Sequence, residues 1–195
     1  MGSRRLGRKR LYSLGKLGQT IDPAAGAGIK GAITSCKQTR DGHMITTEIA
    51  VDMGGSGATL KSGGADRDVI GVLSGGAAYL TQMTEAKYGV ITEIRCVCTE
   101  LPDSVADIDI EHGVDGDGVQ DATDGGTSTL LITAISAKGE DTSAAIDDNS
   151  AANKYLYICN GSSDTKEAFA AGKLLIYLYG FVEGVDGTAG VKLSV

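Results

Sequence analysis

The chain contains 195 residues, which suits one domain of ordinary size with or without a terminal extension. Its hydrophobic fraction of 42% excludes global disorder, and no apolar stretch approaches the ~20 residues of a membrane-spanning helix. The formal net charge is −7, and 29 glycines against 2 prolines predict many tight turns between short strands, because such turns need residues that tolerate positive φ.

The charge is divided unevenly along the sequence. Residues 1–21 hold six basic residues and no acid, whereas residues 22–195 hold 12 basic and 25 acidic residues, a net charge of −13. We therefore predict a basic N-terminal arm and small-residue linker over 1–40, followed by an acidic body over 41–195. Glycines within the arm argue against a stable isolated helix, so we expect the arm to be extended or to become ordered on contact.

The arm mixes basic side chains with leucines, and this mixture indicates the kind of partner it binds. Phosphate contacts would account for the basic residues alone, but apolar anchors indicate a protein surface, and an acidic body is repelled by nucleic acid. We expect a protein partner, with nucleic-acid binding and an unattached tail as the alternatives. The charged contacts are assigned to Arg4, Arg5, Arg8, Lys9 and Arg10, and the apolar anchors to Leu6, Leu11, Tyr12 and Leu14.

Alternation of apolar and polar residues predicts short β-strands along the body. In chain order, strands are expected at 44–51, 89–99, 105–111, 128–135, 154–159 and 172–182. A polar loop is expected at 112–126, and a polar, Ala-rich loop or short helix at 137–152. No long amphipathic helix is present. The pattern predicts a mainly β fold, either an antiparallel β-sandwich or a jelly-roll-like barrel, with an extended basic N-terminal arm.

Two of these strands have clearly alternating faces. In the strand at 89–99, the apolar face is expected to consist of Val90, Ile94, Cys96 and Cys98. The alternation at 105–111 is stricter. There, Ile108 and Ile110 are expected to point inward and Asp107, Asp109 and Glu111 outward.

The strand at 172–182 is apolar on both faces. One face carries Leu174, Ile176 and Leu178, and the other carries Leu175, Tyr177, Tyr179 and Phe181. Such a strand is either buried on both sides or has one face covered by a loop or a partner chain. We expect Tyr177, Tyr179 and Phe181 to contact another subunit, which implies a homo-oligomer.

The acidic loop at 111–124 is the metal candidate. Calcium binds six to eight oxygen atoms, and Asp115, Asp117 and Asp121 could supply some of them. The EF-hand spacing fails, however, since Val119 occupies a ligand position and no Glu follows at the twelfth position. A solvated loop that holds no ion is the preferred alternative, and no cofactor is expected.

Catalytic chemistry is not expected. A nucleophilic triad would need a histidine beside a serine or cysteine, yet only His43 and His112 occur, in polar surroundings, and no G-x-S-x-G motif is present. The cysteines lack the C-x-x-C pairs of zinc sites, so we expect them to be buried, reduced thiols. They are Cys36, Cys96, Cys98 and Cys159.

Two parts of the chain resemble virion structural proteins of tailed phages, particularly small ones from marine and cyanobacterial viruses. The first part is the basic opening MGSRRLGRKRLYSLGKLGQT. The second runs from GVITEIRC at 89–96 through YLYI at 155–158 to AGKLLIYLYG at 171–180. These segments are strand patterns and not catalytic signatures.

The resemblance implies a β-rich protein present in many copies in the virion, assembled in the host cytoplasm. We expect a capsid decoration or cement protein that binds the major capsid protein or another virion protein and stabilises the assembled shell by mass action. The alternatives are a tail or head-fibre component and a nucleic-acid-binding protein that uses the basic arm. A carbohydrate-binding or hydrolytic β-domain is a further alternative, against which the absence of Trp counts.

Overall fold

A computed structural model describes residues 18–55, 60–103, 105–121, 128–146, 151–162 and 167–182. These residues form a mainly β fold in which all strand pairs are antiparallel. The strands form two larger sheets and one two-stranded sheet. The predicted mainly β, antiparallel class is therefore confirmed; the described strands form no closed barrel, and their arrangement is sandwich-like.

The larger sheet has six strands in the order β1-β2-β3-β12-β7-β10. In that order, the strands are Gln19–Thr20, Ile33–Asp41, Met44–Asp52, Lys173–Phe181, Val90–Glu100 and Asp141–Ala145. Strands β2 and β3 form a hairpin with a two-residue loop, because Asp41 pairs with Met44. Gly42 has a φ of 64° in this loop, a value that glycine adopts without steric strain.

The second sheet has four strands in the order β6-β11-β8-β9. These strands are Thr81–Gln82, Tyr155–Asn160, Ile108–Gly113 and Thr129–Ile135. The two-stranded sheet pairs β4, Leu60–Lys61, with β5, Gly71–Val72. A 3-10 turn at Lys30–Ala32 and a one-turn helix α1 at Glu85–Tyr88 complete the described elements. No helix among the described residues is long and apolar enough to cross a membrane.

One hydrophobic core joins the sheets. The chain passes from the six-stranded sheet at β7 to β8 and β9, returns at β10, crosses again to β11 and comes back to the six-stranded sheet at β12. Buried side chains of both sheets belong to a single cluster. Its members from the strands include Ile49, Ile94, Cys96, Leu174 and Ile176 from one sheet and Ile108, Ile110, Leu156 and Ile158 from the other.

Strand β7 departs from the predicted alternation at its N-terminal end. Ile94, Cys96 and Cys98 are buried as predicted, but Ile91 is buried and Val90 is only half-buried. The cause is a register shift: Tyr179 pairs with Glu93 and the next residue of β12 pairs with Ile91. An extra residue of this kind moves the side chains that precede it to the opposite face.

Strand β8 overturns one prediction. Its alternation is correct, but Asp109 and Glu111 do not face solvent: their exposed fractions are 4% and 1%. Residues 67–70 run beside β11, where the Arg67 amide donates to the Asn160 carbonyl at 2.9 Å. This segment brings the Arg67 side chain, itself 35% exposed, over the second face of β8, where it covers and pairs with Glu111.

Two further segments differ from the sequence expectation. Residues 33–40, assigned above to the linker, lie in strand β2, Ile33–Asp41, so regular structure of the sheet begins before residue 41. Residues 141–145, expected in a loop or short helix, form the edge strand β10. Both strands are rich in small and polar residues, and their formation depends on pairing with β3 and β7, which sequence alternation does not reveal.

Candidate partner-binding face

The outer surface of the six-stranded sheet carries the aromatic residues predicted to contact a subunit. In β12, Leu174, Ile176 and Leu178 point into the core, whereas Leu175, Tyr177, Tyr179 and Phe181 are half-buried on the opposite side. We call this surface the aromatic face. It comprises those four residues and their outward cross-strand neighbours on β2, β3, β7 and β10.

The centre of the aromatic face is a pair of stacked tyrosine rings. The centroids of the Tyr177 and Tyr179 rings lie 6.2 Å apart, and the ring planes are inclined by 17°. The Arg95 guanidinium lies 5.8 Å from the centroid of the Tyr177 ring. Arginine and tyrosine side chains of this kind dominate the energetics of protein interfaces, since they bury large areas and also form directed polar contacts.

Charged groups hold these rings in place. Arg95 donates from Nε and Nη2 to the two carboxylate oxygens of Asp141 on the neighbouring strand. This bond lowers the pKa of Asp141 and raises the pKa of Arg95. Burial, followed by the nearby Glu48 carboxylate, raises the pKa of Tyr177. At neutral pH the Tyr177 phenol is therefore neutral, and it lies beside charged groups of both signs.

The arm residues predicted to bind a partner lie outside the described residues. These are Arg4, Arg5, Leu6, Arg8, Lys9, Arg10, Leu11, Tyr12 and Leu14. Gly18 is the first described residue, and β1 follows it directly. In β1, Gln19 pairs with Gln38 and Thr20 pairs with Lys37 on β2. The arm is thus attached at an edge of the sheet whose outer surface is the aromatic face.

The geometry does not assemble the proposed calcium site. Asp121 Oδ1 accepts a hydrogen bond from the Gly64 amide at 2.9 Å, so this carboxylate organises a neighbouring turn. Asp115 contributes its backbone carbonyl to the Tyr157 hydroxyl at 2.8 Å. Within the described ranges, no group of three or more His, Cys, Asp or Glu side chains, including Asp117, is arranged to hold a metal ion.

A buried polar cluster was not predicted from the sequence. Glu111 Oε2 accepts from Arg67 Nε at 3.0 Å and from Arg67 Nη2 at 2.6 Å, and Glu111 Oε1 accepts from the Cys159 thiol at 3.2 Å. On the same face, Asp109 Oδ1 accepts from the Ala134 amide at 2.8 Å. The cluster satisfies acids that β8 carries into the interior, and we assign it a structural role.

The four cysteines are buried thiols that form no disulfide, as predicted. Burial raises the pKa of Cys36 to about 11 and that of Cys96 to about 12. Thiols with such values are protonated at neutral pH and are poor nucleophiles. His112 is also buried, and burial lowers its pKa.

The chain matches no protein-family model, no curated protein and no solved structure.

Proposed function

We propose that this protein is a structural component of a virion that binds and stabilises an assembled capsid, as a decoration or cement protein does. The observation that carries the proposal is the aromatic face, a broad sheet surface with half-buried tyrosines that no described segment covers. A surface of this composition suits contact with a neighbouring protein subunit. The arm supplies the second contact, toward the major capsid protein.

The charge distribution supports separate roles for the aromatic face and the arm. The six basic residues of 1–21 precede residues 22–195, whose net charge is −13, so the arm and not the body is attracted to an acidic surface. Leucines between the basic residues supply apolar contacts that a purely electrostatic attachment lacks. A ligand that binds the assembled shell but not its free subunits raises the stability of the shell.

Co-sedimentation with purified empty capsids of the encoding virus tests this proposal. The wild-type chain is expected to saturate at a fixed stoichiometry, and deletion of residues 1–17, which leaves β1 intact, is expected to abolish attachment. Unchanged attachment of the truncated chain would overturn the role of the arm. Failure of the wild-type chain to bind would overturn the capsid proposal itself.

A pair of matched arm variants separates a protein partner from nucleic acid. One variant replaces Arg4, Arg5, Arg8, Lys9 and Arg10 with Gln, and the other replaces Leu6, Leu11 and Leu14 with Ser. A protein partner requires both sets, so both variants should lose capsid binding. Nucleic-acid binding requires only the basic set and falls steeply with salt. Retention of full capsid binding by the leucine variant would contradict the assignment of apolar anchors.

A further inference from the structure

The aromatic face has a repeating order of side chains along the strands. Residues that pair with one another across neighbouring strands form rows that run perpendicular to the strands. In each of the two middle rows, charged and polar residues flank a tyrosine. The two outer rows are apolar at their centres. The middle rows are Lys37–Glu48–Tyr177–Arg95–Ser143 and Thr39–Thr46–Tyr179–Glu93–Ala145. The outer rows contain Ala50–Leu175–Val97 and Met44–Phe181–Val90.

This order is nearly symmetric about a line that crosses the strands between Tyr177 and Tyr179. We propose that a second copy of the chain packs on the aromatic face about a two-fold axis along this line. This inference rests on the proposed role of the aromatic face as a binding surface, and it identifies the bound partner as a second copy of the chain. A two-fold interface must be complementary to itself, because the same patch is used by both copies.

The two-fold operation matches apolar groups with apolar groups. It places Tyr177 opposite the partner's Tyr179, so the stacked pair of each copy meets the pair of the other. It also places Leu175 opposite the partner's Phe181, and Val97 opposite the partner's Val90. Aromatic and aliphatic side chains of two sheets that pack about 10 Å apart interdigitate in this way.

The charges of the middle rows also match. Arg95 lies opposite the partner's Glu93, and the symmetry repeats this ion pair with the roles exchanged. Glu48 and Lys37 lie opposite threonines, so the two middle rows bring no like charges together. The other simple axis, along β12, is disfavoured, because it places Lys173 opposite the partner's Lys173 and Asp52 opposite the partner's Glu100.

The size of the face is sufficient for a stable dimer. The five strands that carry the face, about 4.8 Å apart, and a nine-residue β12 with a rise of about 3.4 Å per residue give a surface of roughly 700 Å². A standard interface buries about 800 Å² on each partner. Such a dimer would carry two basic arms, and attachment of both arms to one shell would raise the avidity of binding.

Charge exchange within β7 tests the interface and its orientation. Arg95→Glu and Glu93→Arg should each weaken dimerisation at least about tenfold, because each places like charges opposite one another. The double variant Glu93→Arg/Arg95→Glu restores both ion pairs and should restore the dimer. Sedimentation velocity over a micromolar to millimolar range measures the dissociation constant, and thermal unfolding verifies that each variant is folded.

The controls make the result specific to this face. Lys154→Glu, beside β11 in the other layer, carries the same change of charge as Arg95→Glu and should leave dimerisation unchanged. A wild-type chain that stays monomeric, or an Arg95→Glu variant that dimerises as well as Lys154→Glu, would overturn the inference. The alternative axis along β12 places Arg95 opposite the partner's Glu48. Rescue by Glu48→Arg/Arg95→Glu, without rescue by the β7 exchange, would therefore overturn the proposed axis. Because the measurement uses no capsid, its failure is distinct from a failure of capsid binding.

Discussion

Strand β12 and strand β8 each lie between two neighbours in a sheet, but their second faces meet different surroundings. The second face of β12 is apolar, with Leu175, Tyr177, Tyr179 and Phe181, yet it remains half-exposed. The second face of β8 carries Asp109 and Glu111, yet it is buried. Alternation thus determines which side chains share a face, whereas a distant segment determines whether that face is covered.

The difference separates structural residues from residues available to a partner. The acids of β8 are satisfied inside the molecule by Arg67, by the Cys159 thiol and by the Ala134 amide. The tyrosines of β12 stack on one another but retain a common exposed surface. We therefore expect substitutions at the buried acids of β8 and their partners to lower the stability of the fold, and substitutions at the tyrosines of β12 to weaken binding.

The largest expected effect concerns two arginine–carboxylate pairs. Arg67→Ala should lower the free energy of unfolding by about 2 kcal/mol, because the Glu111 carboxylate, which is 1% exposed, loses its cation, while the 35% exposure of Arg67 lets water screen part of the pair. Arg95→Ala removes a pair whose members are 39% and 44% exposed and should leave the free energy of unfolding nearly unchanged. Urea unfolding at neutral pH measures both values. Equal losses would contradict the contrast between the two faces.

A smaller effect is expected from His112 in β8. Burial lowers its pKa below the ordinary 6.5, so the unfolded chain binds a proton at a pH where the folded chain does not. The contribution of His112 to the free energy of unfolding should therefore fall as the pH decreases below about 6.5. Urea unfolding between neutral pH and about pH 5 should show a shallower decline for His112→Gln than for the wild type.

The exposed His43 provides the matched control for that experiment. His43→Gln should retain the wild-type decline in stability, since the side chain lies in the β2–β3 turn and is not buried. A His112→Gln variant with the same pH dependence as His43→Gln would show that His112 is not the group responsible.

The rate at which a reagent labels the buried cysteine thiols measures how well the core is packed and requires no substitution. A pKa of about 11 for Cys36 lowers the thiolate fraction at neutral pH on the order of a hundredfold relative to a free thiol, and burial restricts access further. Labelling by a thiol reagent should therefore be slow in the native protein and should become rapid in urea. Rapid labelling of the native chain at Cys36 or Cys96, identified by mass spectrometry, would contradict the described packing.

Sequence reasoning recovers the elements that have an apolar face of their own. It predicts β3 and β12, and it predicts β7 from Ile94 to Cys98. It misses β10, whose DTSAA sequence has no apolar face and which forms a strand only through its pairing with β7. It also misplaces Asp109 and Glu111 in solvent, because the covering Arg67 lies 44 residues from Glu111 in the chain.

The candidate site is recovered only in part. The apolar character of both faces of 172–182 indicates Tyr177, Tyr179 and Phe181 without any structure. Glu48, Glu93 and Arg95 look like ordinary solvated strand positions, and only the register of β3 and β7 against β12 places them beside the tyrosines. Pairing between strands distant in sequence is the information that alternation lacks.

The smallest effect on stability is expected where the effect on binding is largest, at the centre of the aromatic face. The variant Tyr177→Thr/Tyr179→Thr keeps residues that favour strands and should leave the unfolding transition close to that of the wild type. Co-sedimentation of this variant with purified capsids directly tests whether the aromatic face contributes to capsid binding. We predict at least a tenfold weaker association of this folded variant, because loss of the interface tyrosines removes the contact with a neighbouring copy and, with it, the avidity of two arms. Saturation of the capsids with wild-type affinity would contradict the assignment of the aromatic face as the binding surface.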